Sequence, residues 1–143
     1  MTQVSEVMTH GVRTLSPQDT MQRAARTMSD LNVGALPVCD GEKLVGMVTD
    51  RDITVRGVAQ GCPPDSTTLR ELMSPEVRWC FDDAPLDEAL EQMRDAQIRR
   101  LPVIDHERHL VGMLSLGDVA TTAGTADVAE TLACISEPAE PDH

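Results

Sequence analysis

The chain contains the same motif twice, and this duplication constrains its fold more than any other feature of the sequence. The segment Leu36–Asp40 reads LPVCD, and 65 residues later Leu101–Asp105 reads LPVID. Each copy leads into a second shared segment, Leu44–Met47 and Leu110–Met113, both of which read LVGM. Such a period indicates two copies of one supersecondary unit, each with an apolar sheet face that needs cover. We therefore expect the two copies to fold together.

The similarity between the copies extends well beyond these motifs. The further identical pairs at the same offset are Glu6 and Glu71, Met8 and Met73, Val12 and Val77, Arg13 and Arg78, Ala24 and Ala89, Met28 and Met93, and Asp30 and Asp95. After one added residue in the second copy, Asp52 corresponds to Asp118. Because composition alone does not give so many matches in register, we predict repeats at residues 4–60 and 69–123, joined by a linker over 61–68.

Each repeat is predicted to fold as strand, helix, strand, strand and helix. In the first repeat, apolar residues at helical spacing predict a helix that begins at Thr20, is capped by Asp19 and ends at Asn32 and Gly34. The other predicted elements are a strand at Val12–Leu15, strands at Leu36–Cys39 and Val45–Val48, and a helix from Asp50 to about Ala59 that ends near Gly61. This order of elements predicts an α/β fold.

The second repeat follows the same plan. Pro85 is predicted at the first helical position, where its missing N–H costs nothing. The other predicted elements are strands at Val77–Phe81, Leu101–Ile104 and Leu110–Leu114 and a helix from Leu116 to about Thr122. Residues 124–143 are predicted to form a further helix, with Val128, Leu132 and Ile135 on one face, and then an acidic, disordered tail.

The charge balance restricts the classes of partner. The net charge is −12, from 24 acidic and 12 basic residues. Nucleic acids and anionic membranes attract basic surfaces, so neither is an expected partner. The N-terminus lacks a basic, apolar signal region, and the sequence has no long apolar run of the kind that spans a membrane. We therefore expect a cytoplasmic protein.

Cysteine and histidine spacing offers no metal motif. The four cysteines, Cys39, Cys62, Cys80 and Cys134, are widely separated and are predicted to be reduced structural thiols, although a bridge between two of them stays possible. His106 and His109 lie three residues apart in a predicted turn without further ligands, so we predict no metal site there. No histidine belongs to a motif with a serine or cysteine nucleophile, which argues against an enzyme.

Read in order, the two motifs of each copy are L-P-V-x-D and then G-h-h-[ST]-x-x-D, where h is an apolar residue. Duplicated over residues 4–123, they resemble the CBS domain (the cystathionine β-synthase regulatory domain), and the pair resembles a Bateman module. The chain is similar to small stand-alone bacterial CBS-pair proteins. The resemblance implies pseudo-twofold packing of two β-α-β-β-α repeats, two clefts between the repeats, and pairing of two modules into a homodimer.

The resemblance also implies a ligand, an adenosine compound such as AMP, ADP, ATP or S-adenosylmethionine. The family's sugar- and phosphate-binding positions correspond here to Thr49 with Asp52 and to Ser115 with Asp118. Elementary chemistry agrees, because each hydroxyl lies where a strand ends and a helix begins. Unpaired N–H groups and the helix dipole favour phosphate at such a position, and the carboxylate can accept from ribose hydroxyls.

The residues around the two hydroxyl–Asp pairs differ in charge. Arg51 follows Thr49 and can donate a charge-assisted bond to phosphate, whereas Leu116 and Gly117 follow Ser115. Other candidate contacts are Arg99 and Arg100, which precede the second motif, and Leu36, Pro37 and Val38, which can flank an adenine. Arg99 and Arg100 are equally well explained as a solvated surface pair.

Each hydroxyl–Asp pair also has a structural explanation. A hydroxyl residue followed three residues later by an acid is the pattern of a capping box, which requires no ligand. Two hypotheses therefore stay open: a regulatory module that senses an adenosine nucleotide and signals to a protein partner, and a ligand-independent dimeric interaction scaffold. The sequence does not decide whether one, both or neither site is occupied.

Overall fold

The computed structural model describes residues 2–74 and 77–122. The described chain divides into two compact units. Among the described residues, the repeat-one unit comprises 13–74, 77 and 108–110, and the repeat-two unit comprises 2–12, 78–107 and 111–122. The helix predicted near Val128 and the acidic tail lie outside the described residues. The compact units differ from the sequence period, because each contains the first residues, or lead-in segment, of the other repeat. The lead-in segment of the first repeat (residues 2–12) lies in the repeat-two unit, and that of the second repeat (residues 69–74) lies in the repeat-one unit.

The repeat-one unit is a two-stranded antiparallel sheet with helices around it. Its elements are α1 (Met21–Leu31), β1 (Ala35–Asp40), β2 (Lys43–Thr49), α2 (Asp50–Asp52), a π-helical segment (Ile53–Gly57), a 3-10 turn (Val58–Gln60) and α3 (Leu69–Leu72). Its core joins buried apolar residues of α1, the two strands, α3 and the segment before α1, namely Leu15, Ala24, Met28, Leu36, Val38, Val48 and Leu69. The predicted helix–strand–strand–helix order is confirmed.

Two details at the start of α1 differ from the prediction. The N-cap is Thr20, whose side chain accepts from the Arg23 backbone N–H at 3.2 Å. Asp19 instead accepts from the Ser16 N–H at 2.7 Å and so closes the turn before the helix. The prediction of Asp19 as the cap was wrong by one residue, because both residue types can cap. The predicted end is confirmed, since Asn32 takes the left-handed conformation with φ 55°.

The segment predicted as a strand at Val12–Leu15 reduces to a single bridge. Leu15 pairs in parallel with Val38, with backbone bonds from Leu15 N–H to the Pro37 carbonyl (3.1 Å) and from Cys39 N–H to the Leu15 carbonyl (2.8 Å). Pro17, two residues after Leu15, has no N–H with which to extend the ladder. The strand prediction was therefore too long.

The repeat-two unit is built on a three-stranded sheet in the order β3-β4-β5. Its elements are a 3-10 turn (Val4–Glu6), β3 (Cys80–Phe81), α4 (Leu86–Ala96), β4 (Arg100–Ile104), β5 (Leu110–Ser115) and α5 (Leu116–Thr122). The strand predicted at Val77–Phe81 is shortened to β3, which pairs in parallel with β4. Pro85 is the N-cap of α4 rather than its first residue. The unit's core includes Val4, Val7 and Met8 from the lead-in segment.

The lead-in segments attach to the sheets in the same way in both units. In the repeat-two unit, Thr9 and Met113 exchange backbone hydrogen bonds of 2.8 and 3.0 Å. In the repeat-one unit, the Ser74 N–H donates to the Met47 carbonyl at 3.2 Å. This repetition places Thr9 and Ser74, which are 65 residues apart, in equivalent positions. No helix in the described part of the chain is long and apolar enough to cross a membrane.

Candidate functional site

The repeat-one hydroxyl–Asp pair lies where β2 ends and α2 begins. Thr49 is the N-cap, with its hydroxyl accepting from the Asp52 N–H at 3.0 Å. The Asp52 carboxylate accepts in return from the Thr49 N–H at 2.9 Å. A backbone bond from Asp50 N–H to the Gly34 carbonyl, 2.9 Å long, ties the helix start to the residue before β1. The predicted capping box is therefore formed.

The charges around this junction are mixed. The Asp50 carboxylate accepts from the Arg51 N–H at 2.9 Å, and the Arg51 side chain is exposed. Arg56 approaches Asp52 only loosely, with 4.0 Å between Nε and Oδ1. Asp50 also lies against Gly34, where an added Cβ would stand 3.1 Å from Oδ2. Asp52 is thus half-buried with one oxygen only weakly paired, and Arg51 is a cation at the surface of the same turn.

The repeat-two pair repeats this backbone arrangement. The Ser115 hydroxyl accepts from the Asp118 N–H at 3.1 Å, and the Asp118 carboxylate accepts from the Ser115 N–H at 3.2 Å. The Leu116 N–H donates to the Arg99 carbonyl at 3.1 Å, which matches the Asp50–Gly34 bond. The structure therefore brings Arg99 beside the start of α5, within the same unit as Ser115 and Asp118.

Asp118 has a contact that Asp52 lacks. The Thr9 hydroxyl lies 3.1 and 3.2 Å from the two carboxylate oxygens of Asp118 and donates to them. No sequence pattern indicated this contact, because Thr9 and Asp118 are 109 positions apart. The internal repeat does not indicate the Thr9–Asp118 contact either, because the equivalent residues are Ser74 and Asp52, and serine differs from threonine.

The remaining predicted site residues fall into two groups. Leu36 and Val38 are 2% and 0% exposed and belong to the apolar core, and Pro37 is buried between them. The role that the structure shows for these side chains is packing. Arg99 and Arg100 are exposed at the start of β4, where the predicted contact with phosphate stays a prediction.

A second surface feature gathers the only two aromatic residues of the chain. The Trp79 and Phe81 rings meet edge to face with centroids 4.9 Å apart, and Phe81 stacks on His106 at 4.2 Å. Beside them lies an open cavity of about 470 Å³, lined by Arg78, Trp79, Cys80, Phe81, Ala84, Glu88 and Gln92. Trp79 and Phe81 stand two positions apart on the strand predicted at Val77–Phe81, so their side chains were expected on the same face of it.

The cysteines of the described residues are free thiols. Cys39 and Cys80 are buried and Cys62 is half-buried, while Cys134 lies outside the described residues. Burial raises the pKa of Cys39 to about 11. The pKa of Cys80 is raised to about 12, first by burial and then by the negative charges of Glu88 and Asp82. Both buried thiols are protonated and unreactive at neutral pH.

Comparison with known proteins yields a family and several relatives. The family model described as CBS domain matches residues 4–56 and 69–123. The CBS domain-containing protein YhcV of Bacillus subtilis is 44% identical over 120 residues, which are 84% of each chain. A similar solved structure is the crystal structure of Hypoxic Response Protein I with two coordinated zinc ions. The two sequences are 37% identical, the alignment covers 85% of this chain and 98% of that one, and the TM-score is 0.77.

Two other similar structures contain adenosine compounds. One is a CBS domain pair in complex with 5-methylthioadenosine and S-adenosyl-L-methionine, which is 28% identical over 85% of this chain and 94% of its own (TM-score 0.72). The other is CBSX2 in complex with AMP, which is 25% identical over 85% of this chain and 95% of its own (TM-score 0.73). These ligands are bound to those two proteins.

Proposed function

Since the chain belongs to the CBS domain family and consists mostly of two tandem CBS domains, we propose that it senses an adenosine nucleotide and signals its occupancy to a protein partner. Family membership confirms the resemblance and the tandem α/β fold expected from the duplicated motif. A CBS pair is a regulatory module. The proposal adds four things to this family assignment: the ligand, the site residues, the dimer and the partner.

The observation that carries the proposal is the Thr49–Asp52 pair at the junction of β2 and α2. A half-buried carboxylate with one weakly paired oxygen can accept hydrogen bonds from the vicinal hydroxyls of a ribose. The Thr49 hydroxyl can turn from its cap toward a phosphate oxygen, and exposed Arg51 adds a charge-assisted bond. The two adenosine-bound neighbours support the choice of ligand class.

Ser115 and Asp118 form the second proposed site, with Arg99 and Arg100 as its phosphate contacts. Asp118 already accepts from Thr9, so a ribose hydroxyl must replace that donor. We therefore propose unequal occupancy, with the Thr49–Asp52 site filled first. A ligand signals only through different affinities for two arrangements of the protein, and the proposed reader of that difference is a protein partner.

Calorimetric titration with AMP, ADP, ATP and S-adenosylmethionine tests the proposal. We expect saturable binding of at least one compound, weakened about 10–100-fold by Asp52→Asn, because a hydrogen bond to a charged group is lost. Asp30→Asn is the matched control, since Asp30 is exposed on α1 of the same unit and belongs to no site. Absence of heat with all four compounds at millimolar concentration contradicts the proposal.

We also propose a homodimer. Three large apolar side chains of the repeat-one unit are exposed, Leu31 by 44%, Val55 by 43% and Val58 by 65%. Because contiguous exposed apolar patches mark interaction surfaces, we propose that these three side chains belong to the dimer interface. Light scattering should give twice the chain mass of 15.5 kDa. Val58→Glu should give a monomer, whereas the control Ala59→Glu on the same turn should not; a native monomer at micromolar concentration overturns the dimer.

The second candidate function is a ligand-independent interaction scaffold. It is favoured by one observation, that in both pairs the hydroxyl and the carboxylate are engaged in a reciprocal capping box. This alternative predicts that Asp52→Asn and Asp118→Asn leave partner capture unchanged, with or without added nucleotide. The nucleotide-sensing proposal predicts capture that depends on nucleotide and loses that dependence in Asp52→Asn. Neither candidate assigns a catalytic activity to the chain, and both place it in the cytoplasm.

A further inference from the structure

Two carboxylates and an imidazole meet at one end of the repeat-two sheet. β3 and β4 are parallel, with Phe81 opposite Ile104, so their carboxyl ends lie at the same edge. Asp82 and Asp83 follow β3, and His106 follows β4. One ligand atom from each of these three side chains lies within 4.8 Å of the others. His106 Nε2 and Asp83 Oδ2 are 2.8 Å apart.

The backbone on which these groups stand is held on several sides. The Asp82 N–H donates to the Ile104 carbonyl at 3.0 Å and extends the β3–β4 ladder. The Asp82 carbonyl accepts from the Ser5 N–H at 2.9 Å. The His106 ring is stacked on Phe81, with 19° between the ring planes. The three potential ligands are therefore positioned by the sheet, the lead-in segment and an aromatic contact before any ion arrives.

The repeat provides an internal test of whether the fold requires these residues. At the equivalent positions of the first repeat stand Pro17, Gln18 and Gly41. None of these side chains carries a charge or an imidazole, yet the first repeat forms its own compact unit. The shared fold therefore does not require the acidic pair and the histidine, which only the second repeat has.

We propose that Asp82, Asp83 and His106 bind one divalent transition-metal ion of the Zn²⁺ type. Imidazole nitrogen with carboxylate oxygens is a ligand set of zinc and its neighbours, whereas Mg²⁺ and Ca²⁺ favour six or more oxygens. The side chains of Asp83 and His106 are 58% and 62% exposed, so water can complete the coordination. On binding, His106 Nε2 exchanges its hydrogen bond with Asp83 for the metal, and any proton on it is released to solvent.

The site is separate from the proposed nucleotide sites, because it shares no residue with either of them. Sequence spacing missed it, since His106 was considered only with His109 and not with acids that are 23 positions away from it. The pairing of β3 with β4 brings His106 close to Asp82 and Asp83.

The test is calorimetric titration of the untagged, metal-free full chain with ZnCl2 in a non-chelating buffer at neutral pH. We expect a saturable site with a stoichiometry of one ion per chain. His106→Gln and Asp83→Asn should each weaken it about 10–100-fold, since losing a direct ligand costs at least as much as losing an outer-shell partner. His10→Gln is the matched control, an exposed histidine outside the cluster, and should bind as the native chain does.

Three results would overturn the proposal. One is the absence of a stoichiometric site, which would make the His106–Asp83 contact a surface ion pair only. The second is unchanged affinity in both His106→Gln and Asp83→Asn, with circular dichroism showing that the variants are folded. The third is an equal loss in His109→Gln, which would place the ion elsewhere in the hairpin. Zinc binding that persists in Asp52→Asn would show that the metal site does not depend on the proposed nucleotide site.

Discussion

The Thr49–Asp52 and Ser115–Asp118 pairs have the same backbone and different surroundings. Both form a reciprocal capping box, and both helix starts are tied by one N–H to the residue before the first strand of the hairpin. Asp52 has Arg56 at 4.0 Å, whereas Asp118 has the Thr9 hydroxyl at 3.1 Å. The cap is therefore common to both repeats and serves the fold, and any difference in ligand binding must come from the flanking residues.

Among substitutions that test this comparison, we expect Gly112→Ala to have the largest effect on stability, and its cause is steric. A Cβ at Gly112 would stand 2.7 Å from the Thr9 carbonyl oxygen and 2.8 Å from Met8 Sδ. Because backbone cannot move aside as a side chain can, we expect a loss of about 1–3 kcal/mol in the free energy of unfolding. Urea unfolding measures it, with circular dichroism as the signal.

Gly46→Ala is the matched substitution in the first repeat and sharpens the test. There the nearest atoms are the flexible Met73 Sδ at 2.9 Å and the Ser74 carbonyl oxygen at 3.0 Å. The cost should be smaller than for Gly112→Ala, because the closest neighbour is the far end of a side chain. If Gly46→Ala is the more destabilising of the two, the closer attachment of Thr9 to β5 is not the stronger constraint.

The next effect is the loss of the caps. Thr49→Ala and Ser115→Ala each remove one acceptor for a helix N–H, and we expect each to lower the free energy of unfolding by about 1 kcal/mol. Thermal unfolding without ligand should therefore shift similarly in the two variants. In the presence of a nucleotide the shifts should diverge, with Thr49→Ala losing more ligand-induced stabilisation. Equal losses would show that the two repeats bind alike.

The third effect is smaller and concerns the contact that only the second repeat has. Thr9→Val removes the hydroxyl that donates to Asp118 and keeps the side-chain shape, so we expect a cost of about 0.5 kcal/mol in stability. Nucleotide binding at Ser115–Asp118 should tighten, because the ribose no longer competes with Thr9. Calorimetry of Thr9→Val in an Asp52→Asn background isolates this site, and Ser74→Ala is the control. Unchanged or weaker binding would contradict the competition.

The smallest effect leaves stability untouched and compares buried thiols of the two units. Cys39, with a pKa of about 11, and Cys80, with a pKa of about 12, should both react slowly with iodoacetamide in mild alkali. Cys80 carries about tenfold less thiolate and should be the slower of the two. Half-buried Cys62 should react first, as peptide mass spectrometry can follow. Alkylation of Cys39 as fast as Cys62 would contradict the protection by burial.

Much of the fold could be predicted because each helix and strand of one repeat has an equivalent in the other, so that two sequence patterns support each prediction. Helical spacing found α1 and α4, and the caps at Thr49 and Ser115 follow from a local pattern of four residues. Local patterns also explain the errors: Asp19 and Thr20 are equally good caps, and β-propensity at Val12–Leu15 does not reveal that only Leu15 finds a partner.

What could not be predicted is long-range. Periodicity does not say that residues 2–12 pack with the second repeat rather than the first, and so it did not indicate the Thr9–Asp118 contact. It also did not bring His106 to Asp83, because strand pairing and not spacing makes them neighbours. Of the candidate site, the capping pairs followed from the sequence, whereas their surroundings required the structure.

The exchange of lead-in segments has a consequence for the order in which the protein is made and folded. Residues 2–12 are synthesised before all of their partners in the repeat-two unit, which begin at residue 78 and include β5. Contacts that span about a hundred positions carry a loop-closure cost and slow folding. Val4, Val7 and Met8, all buried in the finished protein, therefore stay exposed until almost the whole described chain has been synthesised. This segment is therefore made before its partners and folds only after they have been made.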